Sequence, residues 1–211
     1  MPLFKSFNVN ANTQVMVWKI TESLEELSAD VVLKDSCTLR VDKMKSELHR
    51  RAFLSVRRLM QQMGYTDFDM FYDTDGKPRL KDGRNISITH SYHFAAIVVS
   101  DSPVGIDMEV RREKVIKIAD KFIASEFSYL NSAHLNEYVR SLIVIWGVKE
   151  ALYKMFSRAG LSFKQNIQVH PFDADQGSGT ASVHFEDING TYAFNFEEIE
   201  DFTLVYCLDN I

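Results

Sequence analysis

Residues 104–109 constrain what this chain can fold into more than any other segment. Their apolar side chains fall on one face of a predicted strand, and two carboxylates, Asp107 and Glu109, fall on the other, because successive residues of a strand point to opposite faces. Gly105 lies on the carboxylate side and is predicted to keep that face open. Two like charges this close repel each other, and a hard divalent cation such as Mg2+ would relieve the repulsion. The alternative is a solvated strand face, the commoner meaning of an isolated Asp-x-Glu pattern.

The composition favours a folded, cytoplasmic protein of one large or two small domains. The 211 residues are 45% hydrophobic and 12% aromatic, which is enough for a sizeable core. The net charge of -5 argues against a nucleic-acid partner, since such proteins are normally basic. Cys37 and Cys207 suggest neither a disulfide framework nor a zinc site. We expect no signal peptide and no membrane helix, because apolar runs such as 142–146 are far shorter than the roughly 20 residues needed to span a bilayer.

The first half of the chain is predicted to combine strands with one long basic helix. Residues 42–63 carry apolar side chains at spacings of three and four, with Asp42 as the N-cap and Gly64 as the stop. The remaining surface of this helix is largely basic. It is either a solvated face or an anion site, because arginine forks suit phosphate oxygens. Alternation of apolar and polar residues predicts strands at 14–20 and 85–91, and a continuous apolar run predicts a buried strand at 94–99.

A second long helix is predicted at residues 135–156. Trp146, Glu150 and Lys154 are spaced four apart and share one face of it. Glu150 and Lys154 could be an ordinary surface pair, but Trp146 on the same face indicates partial burial. Lys149 is adjacent to this face.

The last third of the chain is predicted to be mainly strands, with a hairpin turn at Asn189 and Gly190. Each half then combines strands with one long helix, so we predict an α+β fold of two similar lobes. Each lobe would pack a small, mainly antiparallel sheet on its helix. The natural boundary is the turn at 101–103, which gives lobes at residues 1–102 and 103–211.

Five short motifs occur in an order that resembles a known family. They are Gly76-Lys77-Pro78, the segment 86–91 ending in His90-Ser91, the carboxylate strand 104–109, Phe122-x-x-x-Glu126, and Trp146-x-x-Lys149-Glu150-Ala-x-x-Lys154. This order resembles the 4'-phosphopantetheinyl transferase superfamily. The length and the N-terminal half are similar to the two-lobed, surfactin-synthetase-activator type, a pseudo-dimer with its active site between the lobes.

The resemblance implies a reaction and its cofactors. Such enzymes transfer 4'-phosphopantetheine from coenzyme A to a serine of an acyl or peptidyl carrier protein, as a holo-acyl-carrier-protein synthase does. The reaction depends on Mg2+ or Mn2+ and releases adenosine 3',5'-bisphosphate. Carriers of fatty-acid, polyketide and nonribosomal peptide biosynthesis are all open as substrates. We expect a cytoplasmic monomer without membrane or nucleic-acid partners, because two lobes could build the whole site.

The resemblance also assigns site residues motif by motif. Three carboxylates would hold the metal: Asp107, Glu109 and Glu150. The residues that would bind the phosphates of coenzyme A are Lys154, His90 and either Arg57 or Arg58. Lys77 and Ser91 are weaker candidates for the nucleotide part of coenzyme A. A serine hydroxyl needs a general base, and Glu150 is the predicted one, with Lys149 in reserve.

Two positions depart from the family pattern. Thr89 stands where a serine usually precedes the histidine, and Gly147 stands where a small hydroxyl or thiol residue usually follows the tryptophan. Glycine inside a helix costs about 1 kcal/mol. Neither departure removes a charged group.

Two other functions are weighed against the transferase. A Mg2+-dependent nuclease or nucleotidyl transferase could use the same Asp-x-Glu pair, but the acidic net charge counts against it. A non-catalytic module that binds coenzyme A or a carrier is the other, and the intact set of Asp107, Glu109, Glu150 and Lys154 counts against that.

Overall fold

The computed structural model describes residues 3–209 and divides the chain into two compact units, Met1–Ser102 and Pro103–Ile211. We call them the N-terminal and C-terminal units and describe each by itself. The predicted α+β class with two antiparallel sheets and long helices is confirmed. Within residues 3–209, no helix combines the length and apolarity that crossing a bilayer requires.

The N-terminal unit packs an antiparallel sheet on one long helix. The described part of this unit holds six strands in the order β1-β2-β6-β5-β4-β3. They are β1 Leu3–Asn10, β2 Thr13–Lys19, β3 Met70–Tyr72, β4 Pro78–Leu80, β5 Asn85–Ser91 and β6 Phe94–Ser100. The helices are α1 Leu24–Ser28, α2 Asp35–Lys43, α3 Glu47–Gln62 and a 3-10 turn at Asp67–Asp69. Apolar residues of α3 and of β2, β5 and β6 form the core of this unit.

The predicted helix at 42–63 begins in the wrong place. Residue Asp42 belongs to the separate helix α2, and Met44 is extended, with φ -72° and ψ 120°. The true N-cap of α3 is Ser46, whose side chain accepts a hydrogen bond from the backbone N–H of His49 at 3.4 Å, because a serine oxygen satisfies one of the orphan donors of the first turn. The predicted stop is correct, since Gly64 adopts a φ of +85° just beyond the helix end.

The C-terminal unit repeats this plan with other elements. Its described residues form a five-stranded antiparallel sheet in the order β7-β11-β10-β9-β8. The strands are β7 Val104–Val110, β8 Ile167–Val169, β9 Ser178–Phe185, β10 Ile188–Ile199 and β11 Phe202–Leu208. Helix α5, Leu135–Phe156, lies against β7 and β11. Shorter helical pieces precede it: 3-10 turns at Glu113–Ile118 and Ser125–Ser128, and α4 Ala119–Phe122.

The predicted hairpin turn at Asn189 and Gly190 is wrong. Phe185 pairs with Ile188, so the two-residue turn between β9 and β10 is Glu186–Asp187, and Glu186 takes a φ of +51°. Asn189 and Gly190 pair within the ladder instead. This register buries Ile188 and the apolar residues of β9 in the core, and a slip of one residue would turn them to the opposite face.

Candidate active site

Two glycines bring α5 close to the carboxylate strand. A Cβ on Gly105 would lie 1.8 Å from the carbonyl oxygen of Ala151 in α5. A Cβ on Gly147 would lie 2.7 Å from Val205 Cγ2 of β11 and 3.8 Å from Asp107 Oδ2. The expectation that Gly105 leaves the carboxylate face open is therefore corrected. The helix backbone covers this face, and glycine is needed there because any side chain would overlap it.

This close packing brings Asp107 of β7 against Lys154 of α5. Asp107 is buried, at 3% exposure, and its Oδ1 accepts a hydrogen bond from Lys154 Nζ at 2.6 Å. Lys154 Nζ also donates to the carbonyl oxygen of Ile106 at 3.2 Å. Lys154 was predicted as a coenzyme A ligand, and in this structure its ammonium forms an ion pair with Asp107.

Glu109 is held by the tryptophan of the helix motif. Trp146 Nε1 donates to Glu109 Oε1 at 3.2 Å, and the indole packs edge-on against Phe122 and Phe163, with ring centroids 5.0 and 5.5 Å away. The sequence placed Trp146 on the correct face but gave it no role. Packed between these rings and half-buried, the indole orients the carboxylate of Glu109.

The three carboxylates interact electrostatically. Burial, followed by the charge of Asp107, raises the pKa of Glu109 to about 7. Burial and then Asp107 also raise the pKa of Glu150, while the charge of Lys154 opposes both shifts. The energy needed to ionise one carboxylate therefore depends on the others, the electrostatic condition that a divalent cation relieves.

The donor chemistry of this cluster fits a hard cation such as Mg2+, which takes carboxylate oxygens. Within residues 3–209, however, no three His, Cys, Asp or Glu side chains are arranged around one metal position. The assignment of Asp107, Glu109 and Glu150 as metal ligands thus stays a prediction.

Lys149, the second candidate for the general base, is surrounded by buried hydrogen-bond acceptors. It is fully buried, and its Nζ contacts Glu126 Oε1 at 2.6 Å. The same Nζ donates to the carbonyl oxygens of Phe122, Phe163 and Ile167 at 2.7, 2.9 and 2.7 Å. Burial lowers the pKa of Lys149, and the pairing with Glu126 opposes this shift. An ammonium enclosed by four oxygens cannot reach a substrate, so this geometry counts against a catalytic role.

Sequence reasoning gave Glu126 no role, although it lies in the fourth motif. It is buried at 1% exposure. Besides Lys149, it accepts hydrogen bonds from the backbone N–H groups of Ala124 and Val169 at 2.9 and 3.1 Å. Glu126 therefore joins helix α5 to the 3-10 turn and to β8.

The predicted coenzyme A ligands of the N-terminal unit differ in their availability. Arg57 is buried at 2% exposure, its Nε donates to Asp67 Oδ1 at 3.0 Å, and its guanidinium lies 3.6 Å from the Phe53 ring centroid. Arg58 pairs with Asp30 at 3.0 Å near the surface. The spacing of α3 residues could not distinguish the two, because burial of Arg57 depends on residues distant in sequence.

The remaining predicted ligands lie on β4, β5 and the turn before them. Lys77 is buried at 6% exposure, and burial lowers its pKa to about 8. His90 is exposed at the end of β5, where its ring centroid lies 6.1 Å from that of His49 on α3. Ser91 is half-buried beside it. His49 was not predicted as part of this group, although its place on the basic helix could have indicated it.

Comparison with known proteins identifies the C-terminal unit. The family model of the 4'-phosphopantetheinyl transferase superfamily matches residues 103–207. Through this region, which is just under half of the chain, the protein is similar to that superfamily. The match contains β7 and α5, and therefore every residue of the carboxylate cluster and Lys154. The resemblance predicted from the sequence motifs is confirmed.

Three curated relatives carry the 4'-phosphopantetheinyl transferase name. The gsp protein of Aneurinibacillus migulanus is 34% identical over 84 residues, which is 39% of this chain and 35% of that protein. The ffp protein of Bacillus subtilis is 30% identical over 104 residues, 48% of this chain and 46% of that protein. A further transferase of Bacillus subtilis is 31% identical over 86 residues, 40% of this chain and 38% of that protein. Each match spans less than half the length of the relative.

Proposed function

We propose that this chain is a Mg2+-dependent 4'-phosphopantetheinyl transferase that converts an apo carrier protein to its holo form. It would transfer the phosphopantetheine group of coenzyme A to a carrier serine and release adenosine 3',5'-bisphosphate. The observation that supports this most is that the superfamily match at residues 103–207 contains a partly buried cluster of three interacting carboxylates and a lysine.

The metal would be held by Asp107, Glu109 and Glu150, and Mn2+ could replace Mg2+. A divalent cation bound there would offset the charge of the coenzyme A diphosphate and stabilise the leaving phosphate. Trp146 contributes by fixing the orientation of Glu109 through its indole N–H. Such support matters because a carboxylate with a locked rotamer loses less freedom when it binds.

For the phosphates of coenzyme A, the structure favours some predicted ligands over others. Arg58 is preferred to Arg57, because moving Arg57 would leave Asp67 buried without its cation. His90 is preferred to Lys77, because its ring is exposed whereas Lys77 is buried. Lys154 is the contact that we propose from the C-terminal unit, and Ser91 is a secondary one.

Glu150 is proposed as the general base. The serine oxygen forms a bond to the phosphorus of the phosphopantetheine phosphate while the bond from that phosphorus to the bridging oxygen of the diphosphate breaks. The serine proton passes to the Glu150 carboxylate, directly or through a water, and the released bisphosphate carries the electron pair of the broken bond.

The substrate would be an acyl or peptidyl carrier protein. The first experiment is intact-mass spectrometry of a panel of apo carriers from fatty-acid, polyketide and nonribosomal peptide systems. Each is incubated with the chain, coenzyme A and Mg2+. We expect a mass gain of one phosphopantetheine on at least one carrier, and loss of this gain with Asp107→Ala and Glu150→Ala. A panel that stays unmodified while coenzyme A binds would refute the transfer activity and favour a binding module.

A further inference from the structure

The ammonium group of Lys154 forms an ion pair with the carboxylate cluster in this structure. Its Nζ lies 2.6 Å from Asp107 Oδ1, and Asp107 is the carboxylate whose charge acts on both Glu109 and Glu150. Several other basic side chains of this unit form ion pairs away from the cluster: Lys149 with Glu126, Arg158 with Asp187, and Arg111 and Arg140 with Glu198. Lys154 is therefore a cation that this unit itself supplies to the cluster.

Two features suit Lys154 to leave this position. Its side chain is 29% exposed, whereas the side chain of Asp107 is 5% exposed, so the ammonium reaches inward from the surface and can return to it. Its four-carbon stem is flexible and its charge is compact. Lys149, by contrast, is fully enclosed and has no such path. Only one of the two lysines of this helix segment is therefore placed to exchange with another cation.

We infer that Lys154 holds the metal position in the metal-free chain, and that a divalent cation displaces it from Asp107. This inference rests on the metal site of the proposed function. An ammonium and a dication near the same carboxylate repel each other, so the carboxylate that gains the metal releases the lysine. The released ammonium is then available to a phosphate oxygen. Lys154 would thus couple metal arrival to phosphate binding, instead of serving as a constant phosphate ligand.

Residue-resolved lysine labelling tests the displacement without any turnover. The wild-type chain is treated with a lysine-reactive ester in EDTA or in Mg2+, without coenzyme A, and modification is read by peptide mass spectrometry. We expect Lys154 to react slowly in EDTA and severalfold faster in Mg2+, because its carboxylate partner protects it only in the metal-free state. Lys164, whose Nζ contacts the carbonyl oxygen of Asp120 at the surface, is the matched internal control and should not change.

Calorimetric Mg2+ titration of variants supplies the second measurement. Lys154→Met removes the competing charge and should bind Mg2+ about tenfold more tightly than the wild type, the order expected for a partly exposed ion pair. Lys154→Arg keeps a cation at this position, and a guanidinium can donate two hydrogen bonds to one carboxylate. This variant should therefore bind Mg2+ no more tightly than the wild type. Lys164→Met should match the wild type.

The outcomes separate this inference from the function on which it rests. If Mg2+ binds the wild type but Lys154 labelling does not rise, the displacement is refuted and the metal site stands. If Mg2+ binds neither the wild type nor Lys154→Met, the metal site and the displacement both fail. Binding to Lys154→Met alone would support the inference, because the ammonium then outcompetes the metal in the wild type.

Discussion

Replacing Lys149 by methionine tests whether this lysine is structural or catalytic. The substitution keeps the length of the side chain and removes the charge. It leaves Glu126, at 1% exposure, without its cation, and it removes the donor to three carbonyl oxygens that lie 2.7 to 2.9 Å from Nζ. Breaking a buried ion pair from one side costs about 3–5 kcal/mol. We expect Lys149→Met to lower the free energy of unfolding by about this amount.

A double-mutant cycle gives the assay its resolution. Urea unfolding is followed for Lys149→Met, Glu126→Gln, the double variant and the control Lys164→Met. The double variant removes both charges, so it should lose clearly less stability than the sum of the two single variants. Lys164→Met changes an exposed lysine and should shift stability by no more than about 0.5 kcal/mol.

One result would refute this reasoning. If Lys149→Met were as stable as the wild type yet abolished phosphopantetheine transfer, the lysine would act in the chemistry and our structural interpretation would be wrong. Our structural interpretation would be supported if Lys149→Met lost stability but still catalysed phosphopantetheine transfer at a temperature where the variant is folded.

Three further predictions concern packing, pH and phosphate binding. Gly147→Ala gains about 1 kcal/mol of helix propensity but moves a Cβ to 2.7 Å from Val205 Cγ2. Urea unfolding should show a net loss of about 1–2 kcal/mol that is smaller in a Val205→Ala background. Glu109 has its pKa raised from 4.5 to about 7, so the folded state holds more protons and stability in EDTA should fall as the pH rises through this window. Glu109→Gln should flatten this dependence in pH-resolved thermal melts. Arg57→Ala should destabilise the chain by about 3 kcal/mol or more, whereas Arg58→Ala should leave stability within about 1 kcal/mol and raise the KM for coenzyme A.

Each of these predictions has a contrary outcome. Additive effects of Gly147→Ala and Val205→Ala would mean that the two side chains do not meet. Stability that rises with pH between 4.5 and about 7, and does so only when Glu109 is present, would reverse the sign of our argument. Equal KM values for Arg58→Ala and the wild type would remove Arg58 from the coenzyme A site.

Much of the local structure could be predicted because its signals are local. Helix α5 has the predicted bounds, Leu135–Phe156, and β5 matches the predicted strand at residues 85–91, since the spacing of apolar residues along a helix or strand can be recognised within one segment. The capping of α3 was less readable. Asp42 and Ser46 are both good N-caps, and only the extended backbone at Met44 decides between them.

The candidate site divides in the same way. Asp107, Glu109, Trp146, Glu150 and Lys154 were all identified from two motifs, and the structure brings them into hydrogen-bonding or electrostatic contact. The spacing within each motif predicted which of these residues share a face of the strand or of the helix. The resemblance to the transferase superfamily, and not spacing, implied that the two faces form one site.

Periodicity within one element was enough to predict the long helix α5, the carboxylate strand and the polar residues that share one face of each. Which charged groups are structural depends instead on contacts between elements. Lys149 forms a buried ion pair with Glu126, and Arg57 forms one with Asp67. Burial that depends on residues distant in the chain leaves no pattern in the local sequence. The hairpin at Glu186–Asp187 and the close approach at Gly105 were decided in the same way, by packing between segments far apart in the chain.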